Sequence, residues 1–138
     1  MKQMVYQSNR KIELLHKDTY KGYNFYILNL GTHPTAYVEI PKESELFGKG
    51  YDDIDLYVHG GLTYAEDFLY TSEDTKLDDS WFIGWDYAHA GDYFGYYEKY
   101  DYLETFRESK KWTTEEIIKE CKSAIDQIVV VYDDSKAR

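Results

Sequence analysis

The sequence is poor in cysteine and proline, with one Cys and two Pro in 138 residues. A single thiol closes no internal disulfide and builds no Cys-rich zinc module, so Cys121 suits a reducing compartment, the cytoplasm by default. Long apolar runs are missing too: no stretch approaches the ~18 consecutive apolar residues of a membrane-spanning helix. The opening MKQMVYQSNRKIELL lacks the apolar core of a signal peptide, so neither membrane insertion nor export is expected. Basic residues are scarce in the middle of the chain. Residues 1–38 carry five basic and two acidic side chains, residues 39–108 five basic and 18 acidic, and residues 109–138 six of each, for a net charge of −10. Binding to a phosphate backbone depends on Lys and Arg, so this acidic centre excludes ordinary nucleic-acid binding.

What is abundant is tyrosine: 16 residues, ten of them between Tyr51 and Tyr102, in a chain that is 43% hydrophobic and 18% aromatic. That is enough apolar surface for one folded domain spanning 1–138. A mean hydropathy of −0.68 implies a wet exterior. β-forming runs predict strands over 11–17 and 22–31 joined at DTYK, a third over 35–40 ended by Pro41, a fourth over 54–66 broken or bulged at Gly60-Gly61, and a fifth over 80–89. The stretch 42–53 reads as a loop with a helical turn near Ser44 to Phe47. Thr113 and Glu116 make a capping box and Trp112 with Ile117 a hydrophobic staple, which starts a helix. Ile117, Ile118, Cys121, Ile125, Ile128, Val129 and Tyr132 then form one apolar stripe, with Cys121 as a small buried side chain. The expected fold is α+β: an antiparallel sheet of five or six strands with the 113–131 helix packed across one face.

Two segments carry the chemistry. VHGGLTY (58–64) and WFIGWDYAHAGDY (81–93) each set His beside Gly after an apolar run. Glycine lets a backbone approach a ligand, and His and Asp supply donors, acceptors or metal ligands. If their strands are neighbours, His59 would converge with Asp86, His89 and Asp92. Such a group can hold zinc or manganese and activate water, or act without metal through His59 or His89 as general base with a carboxylate orienting it. No G-x-S-x-G element accompanies it, which disfavours nucleophilic catalysis. The plain alternative is that these side chains cap loops and satisfy backbone groups. Tyr87, Tyr93, Tyr96, Tyr97, Tyr100 and Tyr102 suit stacking on a base or filling an interface, and equally half of them covering the sheet edge as core and boundary residues. His16 and His33 read as structural, and Gly48-Lys49-Gly50 is a poor phosphate loop.

The ordered set VEIP, GKGYDD, VHGGLTYA and WFIGWDYAHAGDY resembles a family of small bacteriophage proteins over roughly residues 35–130. The resemblance implies a role in the cytoplasm of an infected bacterium, with His59, Gly60, Gly61, Thr63, Tyr64, Asp86, His89, Gly91 and Asp92 as the shared polar positions, and it supplies no reaction. Small phage accessory proteins of this kind look like counters to host defence. The leading expectation is therefore capture without turnover of a small polar, nucleotide-type immune signal. The binding set is His59, Gly60, Gly61, Thr63, Tyr64, Trp85, Asp86, Tyr87, His89, Asp92 and Tyr93. No cofactor is called for, a divalent metal being the open alternative. Two other expectations stand beside it: an acidic inhibitor of a host nucleic-acid-handling defence protein, and a small hydrolase of a signalling nucleotide using His59, Asp86, His89 and Asp92. A homo-oligomer, most simply a dimer, would bury more of the aromatic surface.

Overall fold

The computed structural model describes residues 12–31, 33–71, 76–88 and 110–133. β1 (Glu13–Tyr20) and β2 (Tyr23–Asn29) pair as a hairpin with Tyr20 opposite Tyr23. The connection is tighter than DTYK suggests, because Lys21 and Gly22 both take positive φ, 50° and 84°. That is the two-residue turn whose twist matches the flanking strands. β3 (Pro34–Ile40) pairs with β2. Pro34 takes its first position, where a missing N–H is tolerated. β4 (Tyr64–Tyr70) and β5 (Lys76–Asp86) pair antiparallel, and β5 inserts between β3 and β4 to give the order β1-β2-β3-β5-β4. Among the described residues the sheet thus has five antiparallel strands, and one α-helix, α1 (Thr114–Ile128), follows towards the C-terminus.

α1 starts at the capping box: the Thr113 hydroxyl accepts from the Glu116 N–H at 3.2 Å and the Glu116 carboxylate accepts from the Thr113 N–H at 3.0 Å. Its buried stripe of Ile117, Cys121, Ala124, Ile125 and Ile128 packs on Phe25, Ile27, Ala36, Val38, Ile83 and Trp85. Strand residues alternate between faces. The opposite face accordingly presents Tyr26, Leu28, Tyr37, Leu69 and Phe82 as a second buried cluster. Burial pushes the Cys121 thiol well above the usual range, so it packs as an apolar side chain. No helix among the described residues is long and apolar enough to cross a membrane.

The expected strand over 54–66 is corrected. Residues 54–58 lie outside the sheet, Gly60 and Gly61 turn the chain with φ of 71° and 84°, and β4 begins only at Tyr64. Ile54 and Leu56 still point inward, which is why the alternation looks strand-like. Their neighbours hydrogen-bond to helix side chains instead. The Asp55 N–H donates to the Tyr132 hydroxyl at 3.0 Å, and the His59 N–H donates to Glu120 Oε2 at 2.8 Å. Between them the Gln127 amide meets Tyr57 twice, accepting from its N–H at 2.8 Å and donating to its C=O at 2.9 Å. Three helix side chains thereby replace a partner strand. Residues 120 and 127 share a helix face, and the π-helical turn Val129–Asp133 adds the extra residue that brings Tyr132 onto the same line. The fifth strand also differs, running from Lys76 to Asp86 rather than over 80–89.

Candidate functional site

The structure divides the expected constellation between the two faces of the sheet. Trp85 and Tyr87 belong to the helix-side core, and His59 joins them. Its ring stacks on Tyr87 with centroids 4.8 Å apart and planes 5° from parallel, while Trp112 lies against both at 4.9 and 5.1 Å. Glu120 closes this group, accepting from the Tyr87 hydroxyl through one oxygen and from the His59 N–H through the other. The Trp85 indole N–H donates to the Tyr87 oxygen at 3.0 Å. Burial, then the Glu120 carboxylate, push the Tyr87 phenol far above its ordinary value, so it stays protonated and donates. The arrangement is a latch between α1 and the His59-Gly60-Gly61 turn. The glycines serve that turn, and the Gly61 N–H donates back to the Val58 carbonyl at 2.9 Å.

Asp86 lies on the other face. It directly opposes Thr35 across the β3–β5 pair, and Tyr37 opposes Gly84 one step along the same face. Four strand ends meet here: β2 closes, β3 and β4 open, and β5 closes. The Leu30 N–H donates to the His33 carbonyl at 3.0 Å, the Thr63 N–H to the Gly84 carbonyl at 2.9 Å and the Tyr87 N–H to the Pro34 carbonyl at 3.1 Å, which holds this end of the sheet in register. Between them lies a cavity of about 230 Å³. Thr35, Tyr37, Thr63 and Asp86 supply its polar groups together with His33, and Leu30, Tyr64 and Trp85 complete the wall.

The Thr63 hydroxyl donates to Asp86 Oδ2 at 3.1 Å and the Ala88 N–H to Oδ1 at 3.1 Å, so the carboxylate is aimed from both sides. Tyr37 and Tyr64 meet edge to face at 5.1 Å, and the Tyr64 hydroxyl is committed to the Phe68 carbonyl at 2.6 Å. Gly84 makes room for this pair: a Cβ there would fall 2.4 Å from Tyr37 Cδ1 and 2.7 Å from the Ala36 carbonyl oxygen. Burial pushes the Tyr37 phenol up, the Thr35 hydroxyl lies close enough to pull the other way, and the Asp86 charge adds to the rise. Thr35 itself is 3% exposed, and its hydroxyl makes no hydrogen bond of ordinary geometry. A buried polar group without a partner is uncommon in a native fold.

Of the expected binding residues, the cavity therefore unites Thr63, Tyr64 and Asp86; Trp85 borders it from β5 but sends its indole to the helix-side core, His59 and Tyr87 belong to the latch, and Gly60 and Gly61 to the turn. His89, Asp92 and Tyr93, like Gly91 and the tyrosines from Tyr96 to Tyr102, lie outside the described residues. Among the described residues no group of three His, Cys, Asp or Glu is placed to hold a metal ion. Thr35, Tyr37 and His33 were not expected at a site. The signal for the first two lay in the strand period, which sets 35 and 37 on one face opposite 86 and 84. No family model, curated protein or solved structure matches the chain, and its functional reading rests on this geometry.

Proposed function

We propose that the protein is a binding module that captures a small polar molecule in the Asp86 cavity and holds it without turnover. The observation that carries this reading is the Thr63–Asp86 pair, hydrogen-bonded at 3.1 Å at the edge of an aromatic-walled cavity of about 230 Å³. A carboxylate fixed by two donors binds and orients. Thr63 gives its proton toward that carboxylate, which supports holding a ligand in place. In the phage setting that the HGGLTY and WDxAHxGD resemblance implies, the captured molecule is a host defence signal. A nucleotide-type signal would enter by its nucleoside end, since carboxylates accept from ribose hydroxyls and the described lining has no Lys or Arg for phosphate. Protein purified from bacteria and then heat-denatured should release an intact small molecule that Asp86→Asn fails to carry. Recovery of a cleaved product would turn the reading to the hydrolase.

One observation favours the second reading, a protein partner bound through acidic surface. Tyr51, Asp52, Asp53, Asp55 and Tyr57 are all exposed around one turn and extended segment, Tyr57 by 83%, and Gln127 clamps the Tyr57 backbone. Exposed acidic and aromatic groups on a fixed backbone suit steering toward a basic surface. Reversing the three Asp charges to Lys would abolish inhibition on that reading and leave small-molecule capture intact.

A further inference from the structure

Resting on the capture reading, we infer that the cavity selects a primary ammonium group, with Asp86 as counter-ion and the Thr35 and Tyr37 hydroxyls as further acceptors. An alkylammonium has three N–H donors and no acceptor. Thr35 and Asp86 are direct cross-strand partners, so their Cβ atoms lie about 4.5–5.5 Å apart and one small head group spans both. Tyr37 stands next to them on the same face, near enough to Asp86 to feel its charge.

The unpartnered Thr35 hydroxyl is the second, independent mark of a ligand. It is buried, lines the cavity beside the Tyr37 phenol and makes no hydrogen bond of ordinary geometry, so a donor held by Asp86 offers it one. The walls agree with a cation. Tyr37 and Tyr64 put ring surface beside the carboxylate, and an ammonium is attracted to aromatic faces as well as to the charge. The described lining holds one carboxylate, one histidine, His33, and no Lys or Arg. The chain's net charge of −10 raises the local concentration of cations and lowers that of phosphates. The acidity of the central segment, an obstacle for an anionic ligand, thus favours this one.

The experiment titrates the full chain with n-butylamine, with n-butanol as the uncharged counterpart of similar shape, and with ribose and adenosine monophosphate, followed by amide chemical shifts. The expected result is saturable binding of butylamine about tenfold tighter than butanol, the size of one charge-assisted hydrogen bond, with Asp86→Asn removing the difference. Thr35→Val keeps the side-chain shape and removes the unpartnered hydroxyl. It should raise the melting temperature while weakening butylamine; higher stability with unchanged affinity would make Thr35 merely structural and overturn its part. Binding of ribose or the nucleotide in preference to butylamine would overturn the ammonium assignment and leave capture standing. Silence in all four arms, together with no small molecule released on heating, would overturn the capture reading itself.

Discussion

Gly84 shows how one missing side chain makes the site. Tyr37 from β3 lies over it and meets Tyr64 from β4 on the far side, so the aromatic wall of the cavity is built across a strand that contributes no side chain there. In Gly84→Ala the new Cβ would fall 2.4 Å from the Tyr37 ring and 2.7 Å from a backbone oxygen, and the second of these cannot swing away. Overpacking of this kind costs about 1–3 kcal/mol. Chemical denaturation should show a loss of that order, and ligand capture should weaken in the same variant because Tyr37 is displaced. His59 makes the contrasting case. Its setting beside Gly60 draws attention to it as a chemical group, and the structure stacks its ring on Tyr87 and ties its backbone N–H to Glu120.

At the scale of elements, the unusual feature is the extended segment 54–58, held by side chains of α1 instead of a strand. Each such hydrogen bond contributes about 1 kcal/mol net, and the one to the Glu120 carboxylate somewhat more. Amide hydrogen exchange should find Asp55, Tyr57 and His59 protected although none lies in the sheet. Tyr132→Phe should release Asp55 selectively, Gln127→Ala should release Tyr57 at a cost of about 1 kcal/mol, and equal protection in wild type and variants would refute the clamp. This segment also marks the limit of what was legible beforehand. The helix start, its apolar stripe and the first three strands follow from capping residues and local periodicity, which are written in neighbouring residues. Alternation through Ile54, Leu56 and Val58 indicates one buried edge but not whether a strand or a helix faces it, because that depends on Glu120, Gln127 and Tyr132 far along the chain. The candidate site was half legible for the same reason. Asp86, Thr63 and Tyr64 stood out beside glycines, whereas Thr35 and Tyr37 looked like ordinary strand residues until β5 was set against β3.

At the scale of the molecule, buried phenols set the alkaline limit. Tyr87, Tyr23 and Tyr26 are all pushed upward, by burial first and then by the carboxylates of Glu120, Asp133 and Glu39 that accept from them. A phenol whose folded pKa exceeds its unfolded value of about 10 keeps its proton in the native state and loses it in the unfolded one. Stability from these groups is therefore complete below pH ~10 and falls as pH rises beyond it. Phenolate absorbance should rise together with unfolding rather than before it; early ionisation of these three residues in the native state would contradict their burial. The acidic balance acts in the opposite sense on ligands, drawing cations toward a molecule of net charge −10. Raising the salt should then weaken butylamine binding and leave butanol binding nearly unchanged. The central claim is that the functional cavity lies on the face away from α1, at Asp86 and Thr35, and not at the His59–Tyr87–Trp112 latch. Amide chemical-shift mapping during the butylamine titration tests it most directly. Saturable shifts are expected at Thr35, Tyr37, Thr63, Gly84 and Asp86 with His59, Tyr57 and Glu120 unmoved; shifts centred on His59 and Trp112 would place the ligand at the latch instead.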